Sequence, residues 1–325
     1  MKVIFCSDPT SYDAVDYFFI DELAAASRAG LTYELLHYET LVDLGNPARA
    51  VRDIPVQPYL TPAIYRGWTL RVEQYALLYD ALLSRRIRLI HDEIAYRHTQ
   101  YLPQSLPAIK DYSPQTIWTV TDRHPNTDQL LTMLLPFSGR PIMIRDFVRA
   151  QKHYWSEACY IHSASDRSAV ERTTRRFLEL QGRIEGGLVY REYVPLAPLK
   201  TSHADALSPP EISSEGGSQR RGLPIVNEYR LTFVAGRPVS VQARNNLPTT
   251  EDPPPVDALT RIAHHIRSRF FTMDVAQLAR PQTGDDPLNG WLILELGDGQ
   301  VASLSPHSDF DAIYLALSRL VSGTL

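Results

Sequence analysis

The sequence holds only two cysteines, Cys6 and Cys159, among 325 residues. Two thiols cannot build a disulfide framework, so a reducing cytoplasm is the expected compartment. Both lie in apolar, strand-like surroundings and read as buried thiols. No apolar run approaches the ~20 residues that a membrane span needs. The start of the sequence has one lysine and a few apolar residues before Ser7-Asp8-Pro9, too little for a secretory signal. A strong charge of either sign is also missing. The net charge is −4 and the pI about 6.2, which argues against a nucleic-acid or membrane partner bound through a broad basic surface. Glycine-rich phosphate loops of the GxGxxG or GxxxxGK[ST] kind do not occur, so the Rossmann and P-loop readings lack their main motif. Nor do HExxH, CxxC or GxSxG occur, which removes the familiar zinc, redox and serine-hydrolase readings.

What is present is ordinary globular material. Hydrophobic residues make up 44% and charged residues 22%, and the length suits two or three domains of roughly 100–200 residues. Residues 1–100 read as a small α/β domain: a strand at Lys2–Phe5, a helix through Phe18, Leu23 and Ala26, and a second strand at Thr32–Tyr38. A strand at Ala63–Tyr65, an amphipathic helix through Val72, Tyr75, Tyr79 and Leu83, and a strand at Arg88–Ile90 complete it. Residues 101–195 alternate differently, with strands at 117–121, 141–148, 158–162 and 188–194. Asn126 is placed to cap a helix through Leu130 and Leu134, and a second helix ends near Gly182. Residues 196–225 are rich in Ser, Pro, Gly and charge, and are expected to form a long mobile loop. The remainder of a third unit, 196–325, holds strands near 228–234, 238–243, 272–278 and 291–296, a helix over about 256–270, and a last helix through Phe310, Ile313, Leu317 and Val321.

Charge set inside apolar strands marks the candidate chemistry. Asp274 lies in Phe271-Thr-Met-Asp-Val275 and Glu295 in Trp291-Leu-Ile-Leu-Glu-Leu296, with Asp298 just beyond. A carboxylate buried unpaired costs several kcal/mol, so each needs a cation or a solvated face. Carboxylates on adjacent strands suit Mg2+; a solvated sheet face or an arginine partner is the plainer alternative. Arg145, Arg149 and Lys152 on one stretch, and Arg230 on another, suit a polyphosphate cleft or a charge-guarded edge strand. Arg191-Glu192-Tyr193-Val194 closes a strand before the long loop, where main-chain groups and a carboxylate can meet a nucleoside.

The order of these pieces resembles the ATP-grasp superfamily. The similar stretches are Pro141-Ile-Met-Ile-Arg-Asp-Phe-Val-Arg-Ala-Gln-Lys-His-Tyr-Trp155, Gly186-Gly-Leu-Val-Tyr-Arg-Glu-Tyr-Val194, Asn227-Glu-Tyr-Arg-Leu231, Phe271-Thr-Met-Asp-Val275 and Trp291-Leu-Ile-Leu-Glu-Leu-Gly-Asp-Gly-Gln300. They look like a divergent bacterial and phage branch rich in arginine at its phosphate-binding strands. The resemblance implies an α/β and α+β chain: an ATP-grasp fold, its first lobe at 101–195 and its second at 196–325, preceded by the small α/β domain.

It also implies an activity. Members of the superfamily use ATP and Mg2+ to activate a carboxylate as an acyl phosphate, which an amine attacks. By match, Arg145 and Lys152 fall at the α- and β-phosphates, and Glu192, with the main chain of Tyr193 and Val194 and the adjoining Arg191, falls at the adenosine. Arg230 faces the γ-phosphate, where it and Lys152 carry the catalytic charge neutralisation, and Asp274 and Glu295 hold the metal. Three departures stand out. The usual metal motif is Glu, one residue, then Asn, so Asp298 or Gln300 has to serve here. The first phosphate-binding residue is Arg145 rather than Lys. Residues 149–157 lack the glycines of the usual flexible loop. The reading is therefore an ADP-forming carboxylate–amine ligase with a small-molecule or peptide substrate, of peptide or amino-acid type, Arg66 or Lys110 adding substrate contacts. A kinase, a ligase of nucleic-acid ends and a nucleotide-binding module without catalysis are the alternatives. A homodimer is the ordinary expectation for a soluble enzyme.

Overall fold

Val3, Ile4, Phe5 and Cys6 are apolar without alternation, as a strand buried on both faces requires, and all four are fully buried. They form the centre of β1 (Lys2–Asp8). The structure is a computed structural model that describes residues 1–121, 125–199, 225–244, 253–280, 286–304 and 308–322. β2 (Ser11–Val15) folds back antiparallel on the end of β1. β3 (Thr32–Leu36), β4 (Thr61–Arg66) and β5 (Ile87–Leu89) complete a parallel sheet in the order β3-β1-β4-β5. The crossovers are α1 (Ile20–Arg28), the short α2 (Tyr38–Val42) and α3 (Pro47–Ala50), and α4 (Val72–Ser84). The small α/β unit expected at the start of the chain is thus present. Burial pushes the Cys6 thiol up to about 12, which leaves it inert.

Two helices then follow that the sequence reading leaves out, α5 (Glu93–Gln100), capped by Asp92, and α6 (Leu102–Ile109). Leu102, Leu106 and Ile109 pack into the core of the first unit, so the second unit's own core begins beyond them. That second unit is an antiparallel sheet of β6 (Thr116–Thr119), β7 (Ile142–Asp146), β8 (Tyr160–Ile161) and β9 (Leu188–Glu192), in the order β6-β9-β7-β8. α7 (Thr127–Leu134), capped by Asn126 as its sequence predicts, and α8 (Arg167–Gln181) cover one face. Leu130, Leu134, Val170 and Phe177 pack there with Ile142, Ile144 and Tyr190 in a separate core. Gly187, at φ +155°, leads into β9; a Cβ there would come within 2.2 Å of the Thr119 carbonyl, so only glycine fits.

The third unit is an antiparallel sheet of β10 (Glu228–Val234), β11 (Arg237–Ala243), β12 (Phe270–Gln277) and β13 (Trp291–Asp298), in the order β11-β10-β12-β13. α9 (Val256–Ala263) and α10 (Phe310–Ser322) pack with it. α9 stops well short of residue 270: the chain leaves it through tight turns, the His265 and Ile266 N–H groups donating to the Ile262 and Ala263 carbonyls (2.9 and 3.1 Å), and the main chain at Arg269 and Phe270 donates to His91 (3.0 and 3.2 Å). The expected loop begins with an extended piece, Leu196 bridging Leu278 and Pro198 bridging Val226; its remainder, 200–224, lies outside the described residues. One continuous core joins the first and third units, and Tyr314 of α10 donates to Glu22 of α1 at 2.8 Å. Among the described residues no helix is long and apolar enough to cross a membrane.

Candidate functional site

Antiparallel pairing sets Arg230 of β10 opposite Asp274 of β12, and Asp274 opposite Glu295 of β13. The pairing aligns the three in one cross-strand row, and directly opposed residues share a face of a sheet. Arg230 grips Asp274 with both arms of its fork, Nε to Oδ1 and Nη2 to Oδ2, each at 2.7 Å, and gives Nη1 to the Ser303 carbonyl at 2.6 Å. Burial alone would lower the Arg230 pKa, but the Asp274 charge and hydrogen bonds outweigh it and hold the guanidinium above its ordinary value. Arg145 of β7 reaches across from the second unit and meets Glu295 Oε2 at 2.7 Å. Its other arm donates to the Val148 carbonyl. Arg244 approaches the row from the end of β11, 3.7 Å from Glu228 and 4.0 Å from Asp274.

The row forms the floor of a cleft of about 650 Å³ to which all three units contribute. The first unit supplies Tyr38, Glu39, Trp68 and Thr69, the second Val148 and Arg149, and the third the row with Arg244, Thr272 and Gly297. The sequence therefore places Arg230, Asp274 and Glu295 in one cleft, with Arg145 bound to its edge. It misses Glu39, Trp68 and Arg244, which no local pattern marks; Arg149 it notes only as one charge of a basic stretch.

Arg191 is buried on the same side of the second sheet, in register with Met143 and two residues from Val189, the partner of Arg145. Its guanidinium donates to the main-chain carbonyls of Leu294 and Ile293, the latter at 3.1 Å. Burial, with repulsion from Arg145, lowers its pKa to about 9, and its Nε is buried without a partner. Glu192 turns outward to Arg140 at 2.5 Å. The main-chain donors of Glu192 and Tyr193 are bonded to the carbonyls of Gln115 and Pro141 (2.8 and 2.9 Å). Neither they nor Val194 line the cleft. Lys152 stands in the short turn Lys152–Tyr154, followed by one π turn, Trp155–Cys159, where a glycine-rich loop would lie. The Lys152 side chain is outside the described residues.

Asp298 and Gln300 are corrected by the structure. Asp298 is three residues beyond Glu295, an odd step along a strand, so it points to the opposite face and into the core. Its carboxylate accepts from His91 Nδ1 (2.6 Å), Thr99 Oγ1 (3.3 Å), the Gln300 main chain (3.0 Å) and Gln300 Nε2 (3.2 Å). Gln300 joins the same buried network, accepting from the Tyr65 main chain at 3.0 Å and donating to Tyr75 at 2.8 Å. Neither side chain reaches the cleft. Arg66 is likewise structural, fully enclosed and forked onto Glu22 at 2.6 and 2.7 Å. Lys110 is exposed and lies off the cleft.

The donor set decides what the cleft can hold. Among the described residues no group of three or more His, Cys, Asp or Glu side chains is arranged for a metal ion. Where Asn would follow Glu295 by two residues, Gly297 stands, and a Cβ there would lie 2.9 Å from Thr272 Oγ1. Asp274 and Glu295 are thus the two carboxylates of the floor. That set fits Mg2+, which takes one or two carboxylates and completes its shell with phosphate oxygens and water. The arginines fit the phosphates themselves.

Comparison with known proteins agrees with this layout. No curated protein matches the chain. The same fold occurs in a RimK domain ATP-grasp protein from Sphaerobacter thermophilus, 13% identical over 98% of this chain and 100% of that one, TM-score 0.56. D-cycloserine synthetase DcsG is 16% identical over 100% of both chains, TM-score 0.55. D-alanine–D-alanine ligase from Bacillus anthracis, solved with ATP, is 12% identical over 99% of this chain and 95% of that one, TM-score 0.52. Residues 136–317, which span the row from Arg145 to Glu295, match the ATP-grasp domain, R2K clade family 3, and the chain belongs to that family.

Proposed function

We propose that the protein is an ADP-forming carboxylate–amine ligase that uses ATP and Mg2+. The observation that carries this reading is the row of Arg230, Asp274 and Glu295, closed by Arg145 from the facing sheet. In such a reaction a substrate carboxylate oxygen attacks the terminal phosphorus of ATP and the bond to the bridging oxygen breaks, releasing ADP. The amine then attacks the acyl carbon, phosphate leaves, and the amine gives up a proton. Phosphoryl transfer of this kind asks for positioning and charge neutralisation more than for a protein nucleophile. Arg145, Arg230 and Arg244 supply fixed positive charge around the phosphoryl oxygens, in a site where donors need no reorganisation. Asp274 and Glu295 would hold Mg2+ through the lone pairs their arginines leave free. When bound, the ion neutralises charge developing on the phosphates. Lys152 is assigned to the phosphates, and Arg191 through Val194 to the nucleoside end. The substrate is a small molecule or a peptide, and the buried free thiols suit a reducing cytoplasm.

Calorimetric titration with a non-hydrolysable ATP analogue, with and without Mg2+, tests this. Binding should strengthen with Mg2+, and Asp274→Ala and Glu295→Ala should each remove that dependence. Unchanged Mg2+ dependence in both variants overturns the metal assignment, and no binding under either condition overturns the nucleotide site. Gly297 and the arginine-paired carboxylates favour a second reading, a nucleotide-binding module without turnover. Tight analogue binding with no ADP release across carboxylate–amine pairs would select it.

A further inference from the structure

Arg145 and Asp146 end β7 one step apart, so their side chains leave opposite faces of the sheet. Arg145 goes to the cleft side and meets Glu295. Asp146 goes to the side covered by α8 and is fully buried, and the chemistry proposed above does not use it. Its carboxylate accepts from four neutral donors. Oδ1 takes the main-chain N–H groups of Val148 and Arg149 (2.8 and 2.6 Å). Oδ2 takes Gln181 Nε2 of α8 and the Glu185 main chain (2.6 and 3.3 Å). The Asp146 N–H closes the same turn on the Arg149 carbonyl at 3.0 Å.

This turn holds Arg145. Nη2 donates to the Val148 carbonyl and Nε to the Asp146 carbonyl at 3.3 Å, which leaves Nη1 for Glu295. The Val148 carbonyl and the Arg149 N–H are opposite edges of one planar peptide unit. Asp146, bonded at one edge, therefore fixes the direction of the acceptor at the other. A guanidinium is flat and rigid, so setting two of its nitrogens on carbonyls also sets the third. We propose that Asp146 is a positioning residue: through the Val148–Arg149 peptide it aims Arg145 at Glu295. The proposal rests on the ligase reading for its purpose, because Arg145 and Glu295 belong to that site; the contacts themselves exist without nucleotide.

Asp146→Asn is the test, because an amide keeps the shape but must turn its NH2 toward either the N–H groups of the turn or that of Glu185. Two readouts on the full chain separate aiming from plain stability. The first is nuclear magnetic resonance of protein carrying isotope-labelled arginine, in which the Nε–H signal absent from Arg145→Gln belongs to Arg145. That signal should be lost to exchange with water in Asp146→Asn, while the Arg230 signal, assigned in the same way with Arg230→Gln, stays. The second is calorimetry with Mg2+ and the ATP analogue, well below the melting midpoint. Asp146→Asn and Arg145→Gln should each weaken binding about tenfold, the loss of one charged contact, and the double variant should bind no more weakly than Arg145→Gln alone.

If Asp146→Asn does not fold, Asp146→Ser replaces it; its hydroxyl accepts from the turn more weakly, and the same pattern is expected at smaller size. A wild type without an Arg145 signal overturns the proposal, as does a folded Asp146→Asn that keeps it, or losses that multiply in the double variant. Loss of the signal in a chain that binds no nucleotide would uphold the aiming and sink the ligase reading. Equal nucleotide binding by wild type and Asp146→Asn would overturn the aiming and leave that reading standing.

Discussion

Replacing Asp298 with alanine removes an acceptor on which four donors converge in the core joining the first and third units. Two of the donors have other partners: Thr99 Oγ1 is 3.1 Å from Ser268 Oγ, and Gln300 Nε2 is 2.8 Å from Tyr75 Oη. The other two, His91 Nδ1–H and the Gln300 main-chain N–H, are left buried and unsatisfied. His91 cannot turn its proton elsewhere, because Nε2 already accepts from the main chain of Arg269 and Phe270. At about 1–3 kcal/mol for each orphaned donor, the loss is about 4 kcal/mol, within the range for breaking a buried charged contact. A protein of this size should then melt roughly 6 °C lower. Differential scanning calorimetry measures the shift, and analogue titration well below the midpoint measures the site. The expected result is a much less stable protein whose Mg2+-dependent nucleotide binding is intact. A variant that melts within about 1 °C of wild type but loses Mg2+ dependence would refute the reasoning and return Asp298 to the metal.

Other consequences can be measured directly. Arg191 is buried against carbonyls with no carboxylate within ion-pair distance among the described residues, so Arg191→Met should hold or raise the melting temperature while weakening nucleotide binding; a large loss of stability would show that its charge holds the two sheets together. Burial, with repulsion from Asp146, raises the Glu185 carboxyl from 4.5 to about 7. The native state therefore keeps a proton that the unfolded chain has lost, and this contribution, full below about pH 4.5, disappears as pH rises through 7. Denaturant titrations should show wild type losing about 1–2 kcal/mol relative to Glu185→Gln over that window, after allowance for partial exposure; a pH-independent difference would contradict it.

Much of the third sheet was legible because the runs around Asp274 and Glu295 are apolar, β12 buried along nearly its whole length, so a charge among them had to mean something. Arg230, Asp274 and Glu295 announced themselves that way, and pairing register then joined them. Asp298 misled because the metal motif expected after Glu295 lacks its Asn and the next polar side chain is put in its place, while strand parity, counted from Glu295, already sends it to the other face. Arg66 misled for another reason: its partner, Glu22, lies on a helix 44 residues earlier, and no local pattern encodes such a pair. α6 was hidden by Pro103 and Pro107, which weaken a helical reading although Pro103 sits harmlessly in the first turn. Glu39 could not be found from sequence, since what distinguishes it, a carboxylate oxygen buried without a donor among the described residues, exists only in three dimensions.

The second unit is inserted into the body formed by the other two. The chain enters it near Gln115 and leaves it at Glu192, where the Glu192 N–H meets the Gln115 carbonyl at 2.8 Å. Ser113 and Ala279 secure the two flanks, bonding Ile293 and Pro195 respectively. During synthesis the two parts accordingly face different waits. The insert has its whole antiparallel sheet once residue 192 has emerged, and can close its own core. The first unit has its parallel sheet by residue 89, but Tyr314 of α10, which reaches Glu22 of α1, comes some 200 positions later. The nascent chain must therefore carry an open host past a finished insert, with the apolar side of α1 uncovered until α10 arrives.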